Sequence, residues 1–253
     1  MISRAKIKWV RSLEMKKNRD RDQLFVAEGN KLVGELIGSL ECEWMLAEPL
    51  WMATQGDLPA RELEVAAEGD IRKVSLLKSP QQVLAVFKRP VPNLEDADPA
   101  NQLVLALDGV QDPGNLGTIL RLADWFGIEH VVCSPDTADA FGPKAVQATM
   151  GALARISVHY ADLEIFLKVK GRTTPRYGAF TEGNSMYEHT LSSNGILVMG
   201  NEGNGIRPSV EALVDRRLCI PSYPASSASA ESLNVAVATA IICAEFRRQQ
   251  RVK

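Results

Sequence analysis

Apolar residues in the second part of the chain fall into short runs separated by amphipathic helical patterns. The runs are LVLAL (103–107), HVVC (130–133), RISVHY (155–160), YGAF (177–180), ILVMG (196–200) and RLCIP (217–221). Runs of this length are typical of strands buried within a sheet. Because helical patterns lie between them, the sequence predicts an α/β fold with a mostly parallel sheet covered by helices.

The final helical pattern is the strongest in the chain. It predicts a helix from about Glu231 to Arg248 and places four apolar residues, Leu233, Val237, Ile241 and Ala244, on one side. The stretch before it, SYPASSASA (222–230), has the composition of a flexible loop. Ser229 or Ser232 could cap the helix, whereas Asn234, in its predicted first turn, needs a polar partner.

The first part of the chain predicts a separate small α/β module. A basic helix at about 3–17 and an amphipathic helix after residue 30 accompany four strand-like runs, LFVAEG (24–29), EWMLA (43–47), IRKVS (71–75) and VLAVF (83–87). The composition of the Pro- and acid-rich segment 89–102 predicts a linker. We therefore predict two domains, 1–95 and 96–253.

Composition narrows the class of protein. With 45% hydrophobic residues, the 253-residue chain can bury real cores, and no apolar run approaches the ~18 residues of a membrane span. The basic start also lacks the apolar stretch of a secretory signal, so we expect a cytoplasmic protein. Four dispersed cysteines (Cys42, Cys133, Cys219, Cys243) predict reduced core residues and no metal site.

The net charge of −2 conceals an uneven distribution. The first 21 residues hold eight basic and two acidic residues, and the tail after Phe246 holds four basic and no acidic residues. Basic ends on an acidic body suit binding to a polyanion such as nucleic acid. A solvated helix face followed by a frayed tail explains the same charges equally well.

Candidate chemistry lies in three loops that follow predicted strands, where open α/β sheets bind ligands. In the first, Asp108 and Asp112 precede Pro113-Gly114, and Asn115 could cap a helix that carries Arg121. In the second, VMGNEGNGI (198–206), three glycines surround Glu202 and allow a ligand close to the backbone. The third runs from Ile220-Pro221 to Asn234.

Common catalytic motifs are missing from the sequence. It contains no GxGxxG after a strand and no GxxxxGK[ST], HExxH or GxSxG, which disfavours the usual dinucleotide, phosphate-loop, zinc-protease and hydrolase classes. The scattered histidines His130, His159 and His189 have no Ser or Cys partner at diagnostic spacing, so we interpret them as structural.

Together the three loops resemble the signature motifs of the SpoU/TrmH family of SPOUT RNA 2'-O-ribose methyltransferases. The matching segments are DPGNLGTILRLADWFG, MGNEGNGI, and IP followed by ESLNVAVA, in the family's order across 103–248. The segment KIKWVRSLEMKKNRDRDQLFVAEGNKLVGEL also resembles the family's substrate-binding domain.

The resemblance implies a SPOUT α/β-knot catalytic domain with a C-terminal trefoil knot, preceded by a small α/β substrate-binding domain, in a homodimer. It also implies S-adenosylmethionine as the cofactor. We expect neither a bound metal nor a membrane partner. The matching cofactor positions are Gly200, Ile220 and Leu233, and Asn201, Gly203 and Ser232 adjoin them in the same predicted pocket.

The implied reaction transfers a methyl group from a sulfonium to a ribose 2'-hydroxyl. Arg121 matches the family arginine assigned to hydroxyl activation, and Asn115, Glu202 and Asn234 match positions that shape the same pocket. A guanidinium is almost always protonated, so Arg121 acts as a base only if the site perturbs it strongly. Otherwise it binds phosphate and stabilises the developing alkoxide.

The sequence favours ribosomal RNA over transfer RNA as the substrate, because the basic N-terminal helix and its attached domain suit a structured RNA. One rival interpretation is a non-catalytic RNA-binding protein with the same fold, which intact Arg121, Asn115 and Glu202 disfavour. Another is a doubly wound enzyme that uses a different nucleotide, which the missing glycine fingerprint disfavours.

Overall fold

The computed structural model describes residues 2–67, 69–223 and 232–250. The chain divides into two compact units. One comprises Met1–Val91 together with Asp139–Ala154, and the other comprises Pro92–Ala138 together with Arg155–Lys253. A segment from the middle of the chain therefore belongs to the first unit.

The first unit contains a four-stranded mixed sheet. Its strands are β1 (Leu24–Glu28), β2 (Cys42–Ala47), β3 (Leu63–Val65) and β4 (Val83–Lys88), arranged in the order β1-β4-β2-β3. β4 pairs antiparallel with β1 and β2, whereas β2 and β3 are parallel. Three of these strands were predicted, and β3 was not.

Helices of the first unit cover this sheet. They are α1 (Arg4–Ser12), α2 (Lys16–Asp22), α3 (Asn30–Leu36), α4 (Pro49–Met52), α5 (Asp70–Val74) and, from the middle segment, α7 (Pro143–Thr149). The basic pattern at 3–17 thus forms α1 and the start of α2. The prediction of a strand at 71–75 is wrong, because Ile71 and Val74 are buried at helical spacing on α5.

The second unit contains a six-stranded sheet in which every pairing is parallel. Its strands are β5 (Leu103–Leu107), β6 (His130–Cys133), β7 (Ser157–Tyr160), β8 (Arg176–Ser185), β9 (Gly195–Met199) and β10 (Arg216–Cys219), in the order β10-β8-β9-β5-β6-β7. The chain runs from β5 outward to β7 and then returns to the other side of β5. The strand order therefore reverses between β5 and β9, which is where such sheets bind ligands.

The helices of the second unit are α6 (Pro113–Trp125), α8 (Leu163–Val169), α9 (Pro208–Glu211) and α10 (Val235–Gln250). α6 and α10 lie side by side, with Asn234 bonded to Asn115 at one end and Arg247 donating to the carbonyl oxygens of Phe126 and Gly127 at the other. Arg247 of the basic tail therefore serves this helix packing. Arg251 and Lys253 lie outside the described residues.

The packing of α10 differs from the expectation. Its buried residues include Val235, Thr239, Ile242 and Phe246, which face the unit's own interior. The predicted apolar side is the other one, because Val237 and Ala244 are exposed and Ile241 is half-buried. Glu231, the predicted start of the helix, lies outside the described residues.

Other expectations can be compared directly with the structure. The four cysteines are buried and free, as predicted. His130 and His159 are also buried, with His130 Nδ1 lying 3.0 Å from His159 Nε2, which agrees with a structural role. In the described ranges, no helix is both long and apolar enough to cross a bilayer.

Candidate functional site

The loops that follow β5 and β9 meet at the point where strand order reverses. Asn201, two residues beyond β9, donates from Nδ2 to the carbonyl oxygen of Gly109 over 2.6 Å. The Asp108 N–H donates in turn to the carbonyl oxygen of Met199 over 2.8 Å. Two loops separated by about 90 residues of sequence are therefore fastened together.

A cavity of about 860 Å³ opens beside these loops. It lies at the carboxyl ends of β8, β9 and β10 and against α10. All six residues predicted to bind the cofactor line it: Gly200, Asn201, Gly203, Ile220, Ser232 and Leu233. The structure therefore brings the predicted cofactor positions together around one space.

Gly200 allows the loop after β9 to fold back on itself. A Cβ atom at this position would lie 2.3 Å from both the Gly205 carbonyl carbon and the Ile206 nitrogen, far inside van der Waals contact. Asn201 and Gly205 exchange two backbone hydrogen bonds, and the Asn201 Oδ1 accepts from Gly203 N–H and Asn204 N–H. This compact loop keeps its backbone against the cavity, and only glycine fits at position 200.

Glu202, the acid in this loop, faces the beginning of α6. Its Oε1 accepts from the Asn115 Nδ2 at 3.0 Å and from the Asp112 N–H at 3.2 Å, and its Oε2 accepts from the Gln111 N–H at 3.2 Å. Partial burial raises the pKa of the Glu202 carboxyl, but these hydrogen bonds outweigh burial and hold it below its usual value. Glu202 is therefore a carboxylate at neutral pH.

Asn115 continues this hydrogen-bond chain to the third loop. Its Oδ1 accepts from the Asn234 Nδ2 at 2.9 Å. The Asn234 Oδ1 in turn accepts from the N–H groups of Ala236 and Val237, the first turn of α10. Glu202, Asn115 and Asn234, one from each predicted loop, thus form one continuous chain that we call the three-loop chain.

The capping residues differ from those expected. Asp112, and not Asn115, caps α6, because its Oδ1 accepts from the Asn115 N–H at 2.8 Å. Asn234 precedes α10 and caps it, instead of lying in the first turn. Ser229 and most of the predicted loop at 222–230 lie outside the described residues.

Arg207 is a residue of this site that the sequence did not indicate. Its backbone N–H donates to the Oδ2 of Asp108 at 2.8 Å, its Nε lies 2.6 Å from Asp108 Oδ1, and its Nη2 contacts Asp136 at 2.8 Å. Asp108 is only 1% exposed. Burial raises the pKa of Asp108, and Arg207 opposes that rise. No fixed spacing relates positions 108, 136 and 207, so no sequence pattern could have predicted this arrangement.

Arg121 lies apart from the lining of the cavity. It is on the exposed face of α6 with Thr118 and Trp125, the latter 83% exposed. Within the described ranges it forms no hydrogen bond or ion pair. Its guanidinium is therefore available to a bound molecule, while the three-loop chain lies at the start of the same helix.

A metal centre has no support in the described part of the chain, where no cluster of three or more His, Cys, Asp or Glu side chains could hold an ion. The lining of the cavity instead combines backbone groups of a glycine-rich loop with apolar side chains such as Ile220 and Leu233. Such a surface suits an organic ligand of moderate size.

Comparison with protein families matches both parts of the chain. Residues 102–244 match the SpoU rRNA Methylase family. Residues 4–85 match the MRM3-like substrate binding domain. The first match alone spans more than half of the chain and includes all three loops.

Individual proteins are similar over nearly the full length. The 23S rRNA (guanosine(2553)-2'-O)-methyltransferase RlmP of Bacillus subtilis is 32% identical over 250 residues, which cover 96% of each chain. A solved TrmH-family structure from Porphyromonas gingivalis superposes with a TM-score of 0.87 at 43% identity, covering 98% of this chain and 99% of that one. The AdoMet-bound rRNA methyltransferase of Sinorhizobium meliloti gives 0.83 at 30% identity, covering 98% and 96%.

Proposed function

The chain belongs to the SpoU rRNA methylase family, and from this premise we propose that it transfers a methyl group from S-adenosylmethionine to a ribose 2'-hydroxyl of ribosomal RNA. The observation that carries the proposal is one cavity lined by the second and third loops, to which the three-loop chain joins the first loop through Asn115. Ribosomal RNA is preferred to transfer RNA because the relative from Bacillus subtilis is named for 23S rRNA.

The cavity fits the cofactor by shape and by chemistry. Gly200 lets the backbone of its loop lie against the space, and Ile220 and Leu233 offer apolar surface for a purine ring. Asn201, Gly203 and Ser232 complete the polar part of the proposed cofactor site. When bound, S-adenosylmethionine supplies an electrophilic methyl group on a sulfonium.

The chain's own residues orient the acceptor. The guanidinium of Arg121 forms no hydrogen bond or ion pair within the described residues, so it is available to an anionic group. We assign it to the phosphate beside the target ribose and to the negative charge that develops on the 2'-oxygen. The three-loop chain of Glu202, Asn115 and Asn234 fixes the start of α6, and therefore the position of Arg121, relative to the cavity.

We also propose that the second unit contains a trefoil knot, as the family resemblance implies. This inference is supported by the cavity walls, since the loops after β9 and β10 and helix α10 all contribute to one space.

A homodimer is supported by the exposed apolar surface of α10 and α6. Val237 and Leu233 are each 49% exposed, and Trp125 is 83% exposed. Half-exposed Ile241 and exposed Ala244 continue the stripe along α10. Exposed apolar stripes of this kind mark association surfaces. We assign this one to a second copy of the chain, because the family resemblance implies a homodimer and a twofold interface pairs the same patch of both copies.

We assign residues 1–95 to RNA substrate binding and residues 96–253 to methyl transfer, in the cytoplasm where ribosomal RNA is found. The match of residues 4–85 to a substrate binding domain supports the first assignment.

A map of ribose methylation in total RNA tests the function. Cells with and without the protein should differ at a nucleotide of ribosomal RNA, and the purified protein should restore that methyl group on RNA from the deficient cells. Loss of a methyl group only from transfer RNA would mean that transfer RNA, and not ribosomal RNA, is the substrate. Calorimetry with S-adenosylmethionine distinguishes the proposed enzyme from a non-catalytic RNA-binding protein, which should give no heat of cofactor binding.

A further inference from the structure

Three cations on α1 form a stripe on its exposed side. Arg4, Lys8 and Arg11 are all exposed and are spaced by four and three residues. At 3.6 residues per turn these positions fall within about 60° of one another around the helix and span about 10 Å along it. The far side carries Val10, which is fully buried, and the partly buried Trp9, while the partly buried Ile7 flanks the stripe.

Most other basic residues near the N-terminus are neutralised by carboxylates. Lys6 pairs with Glu62, Lys16 with Asp20, Arg19 with Asp139 and Arg21 with Asp22. Arg4, Lys8 and Arg11 form no ion pair within the described ranges. Apart from the exposed Lys17 of α2, the uncompensated positive charge of the first 21 residues is therefore concentrated on one face, which we call the α1 stripe.

The helix that carries the α1 stripe is held firmly. Ser3 caps it by accepting from the Lys6 N–H, and the Trp9 ring packs edge-on against Trp44 of the sheet. Arg11 also donates to the carbonyl oxygen of Lys73, which brings the stripe next to α5. The preceding residue there, Arg72, is a further exposed cation. A rigid row of cations presents fixed positions to a repeating anion.

We propose that the α1 stripe binds the sugar-phosphate backbone of the substrate RNA through Arg4, Lys8 and Arg11. This inference rests on the proposed function and specifies the surface by which the first unit holds ribosomal RNA. Phosphate is the anion favoured because guanidinium groups bind it in two-pronged fashion, and clustered cations release the counterions condensed on RNA. The contacts are independent of base identity, so they contribute affinity and leave selection of the nucleotide to other parts of the protein.

The test compares the full-length protein with two triple variants that each remove three surface cations. One is Arg4→Ala/Lys8→Ala/Arg11→Ala. The control is Lys16→Ala/Arg21→Ala/Arg61→Ala, whose three cations all pair with carboxylates in the same unit. Binding of an unmodified large-subunit ribosomal RNA transcript is measured across a range of salt concentrations, and unfolding temperatures check that both variants fold.

The α1 variant should bind RNA about 10- to 100-fold more weakly at moderate salt, and its slope of log affinity against log salt should be shallower by about 2. The KM for RNA should rise while kcat at saturation and cofactor affinity stay unchanged. Equal losses of RNA affinity in both triple variants, or an α1 variant with the wild-type salt slope, would overturn the proposed role of the α1 stripe. The binding measurement does not depend on methylation, so a wild-type protein that binds this RNA without methylating it refutes the proposed function alone.

Discussion

The side-chain amide of Asn234 donates to the Oδ1 of Asn115 over 2.9 Å, joining two residues 119 positions apart in the sequence. Because that oxygen accepts, the Asn115 amide nitrogen is directed at the carboxylate of Glu202. Asn115 therefore has to donate on one side and accept on the other, which a side-chain amide can do and an ionised carboxylate cannot.

The Asn115→Asp substitution should disable this arrangement. Aspartate can still accept from Asn234 but would place a second carboxylate against Glu202, which raises the pKa of the pair and forces the loops apart. We expect methylation to fall by about 5- to 150-fold at neutral pH, from a loss of about 1–3 kcal/mol, and to recover partly under mild acid. Steady-state kinetics from pH 5 to 8 measure both effects.

The matched control is Asn234→Asp, which keeps an effective helix cap and loses only the donor to Asn115. It should be clearly milder than Asn115→Asp. If the two variants lose methylation equally, repulsion between the carboxylates of residues 115 and 202 is not the cause of the loss.

The Arg121→Ala substitution should leave cofactor binding nearly intact while reducing kcat by about 10²–10³-fold, as expected for loss of a group that stabilises the transition state. Because Arg121 is exposed and forms no hydrogen bond or ion pair within the described ranges, folding should be unaffected. Calorimetry with S-adenosylhomocysteine and methyl incorporation into RNA provide the two measurements. Weakened cofactor affinity together with preserved methylation would contradict a role on the acceptor side.

The Gly200→Ala substitution should open the loop after β9. Its Cβ would collide with the backbone of Gly205 and Ile206, so we expect the free energy of unfolding to drop by about 1–3 kcal/mol and cofactor affinity to fall by about tenfold or more. The control is Gly34→Ala in α3, where the nearest atom, the end of the Gln55 side chain, is 3.7 Å away. Chemical unfolding and calorimetry distinguish the two; an unchanged cofactor affinity in Gly200→Ala would mean that the loop can move aside.

The Arg207→Ala substitution should make stability depend on pH. Burial raises the pKa of Asp108, and the backbone N–H of residue 207, which opposes this rise, is kept in the variant. Losing the Arg207 side chain removes its charge and its hydrogen bond, so the folded-state pKa rises further above the unfolded value of about 3.9. Stability then is highest below the unfolded pKa and decreases as the pH rises through the folded one. The unfolding temperature of the variant should therefore fall increasingly below that of the wild type as the pH rises from about 4.

In the double variant Asp108→Asn/Arg207→Ala, the amide cannot ionise, and the additional pH dependence should disappear. If that dependence persists, it arises from a group other than Asp108.

The Val237→Asp substitution should weaken self-association by 100-fold or more, because an unpaired carboxylate buried in an interface costs roughly 3 kcal/mol or above. The control, Ile165→Asp on α8, also adds a charge to an exposed apolar position away from the stripe. Sedimentation at micromolar concentration should find Val237→Asp monomeric and Ile165→Asp unchanged. A wild-type chain that is itself monomeric under these conditions would refute the dimer.

Elements defined by a local apolar run could be predicted from the sequence, whereas elements that depend on distant partners could not. β5, β6 and β9 were located closely because each is a continuous apolar run whose burial depends little on its exact neighbours. β3 was missed because its three residues are mostly exposed and are held by pairing with β2, a partner that local pattern does not reveal. The 71–75 segment misled because β-branched residues favour strands, while the packing of Ile71 and Val74 requires a helix.

The candidate site shows the same division. Motif resemblance identified the residues around the cavity, but the ion pairs of Arg207 and the capping roles of Asp112 and Asn234 depend on backbone positions that only the fold defines. The apolar stripe on α10 was visible as a pattern. Periodicity could not tell which of the two apolar sides of α10 packs inside, because both carry aliphatic residues.

The order in which the cavity walls occur along the chain has a consequence for biosynthesis. Its first lining residue is Ala179 and its last is Ile242, so none of its walls is encoded in the first two-thirds of the message. A nascent polypeptide synthesised from the N-terminus can complete the first unit's sheet long before this pocket exists. Newly made molecules should therefore be able to engage ligands of the first unit while still tethered to the ribosome, and acquire the nucleoside pocket only near the end of translation.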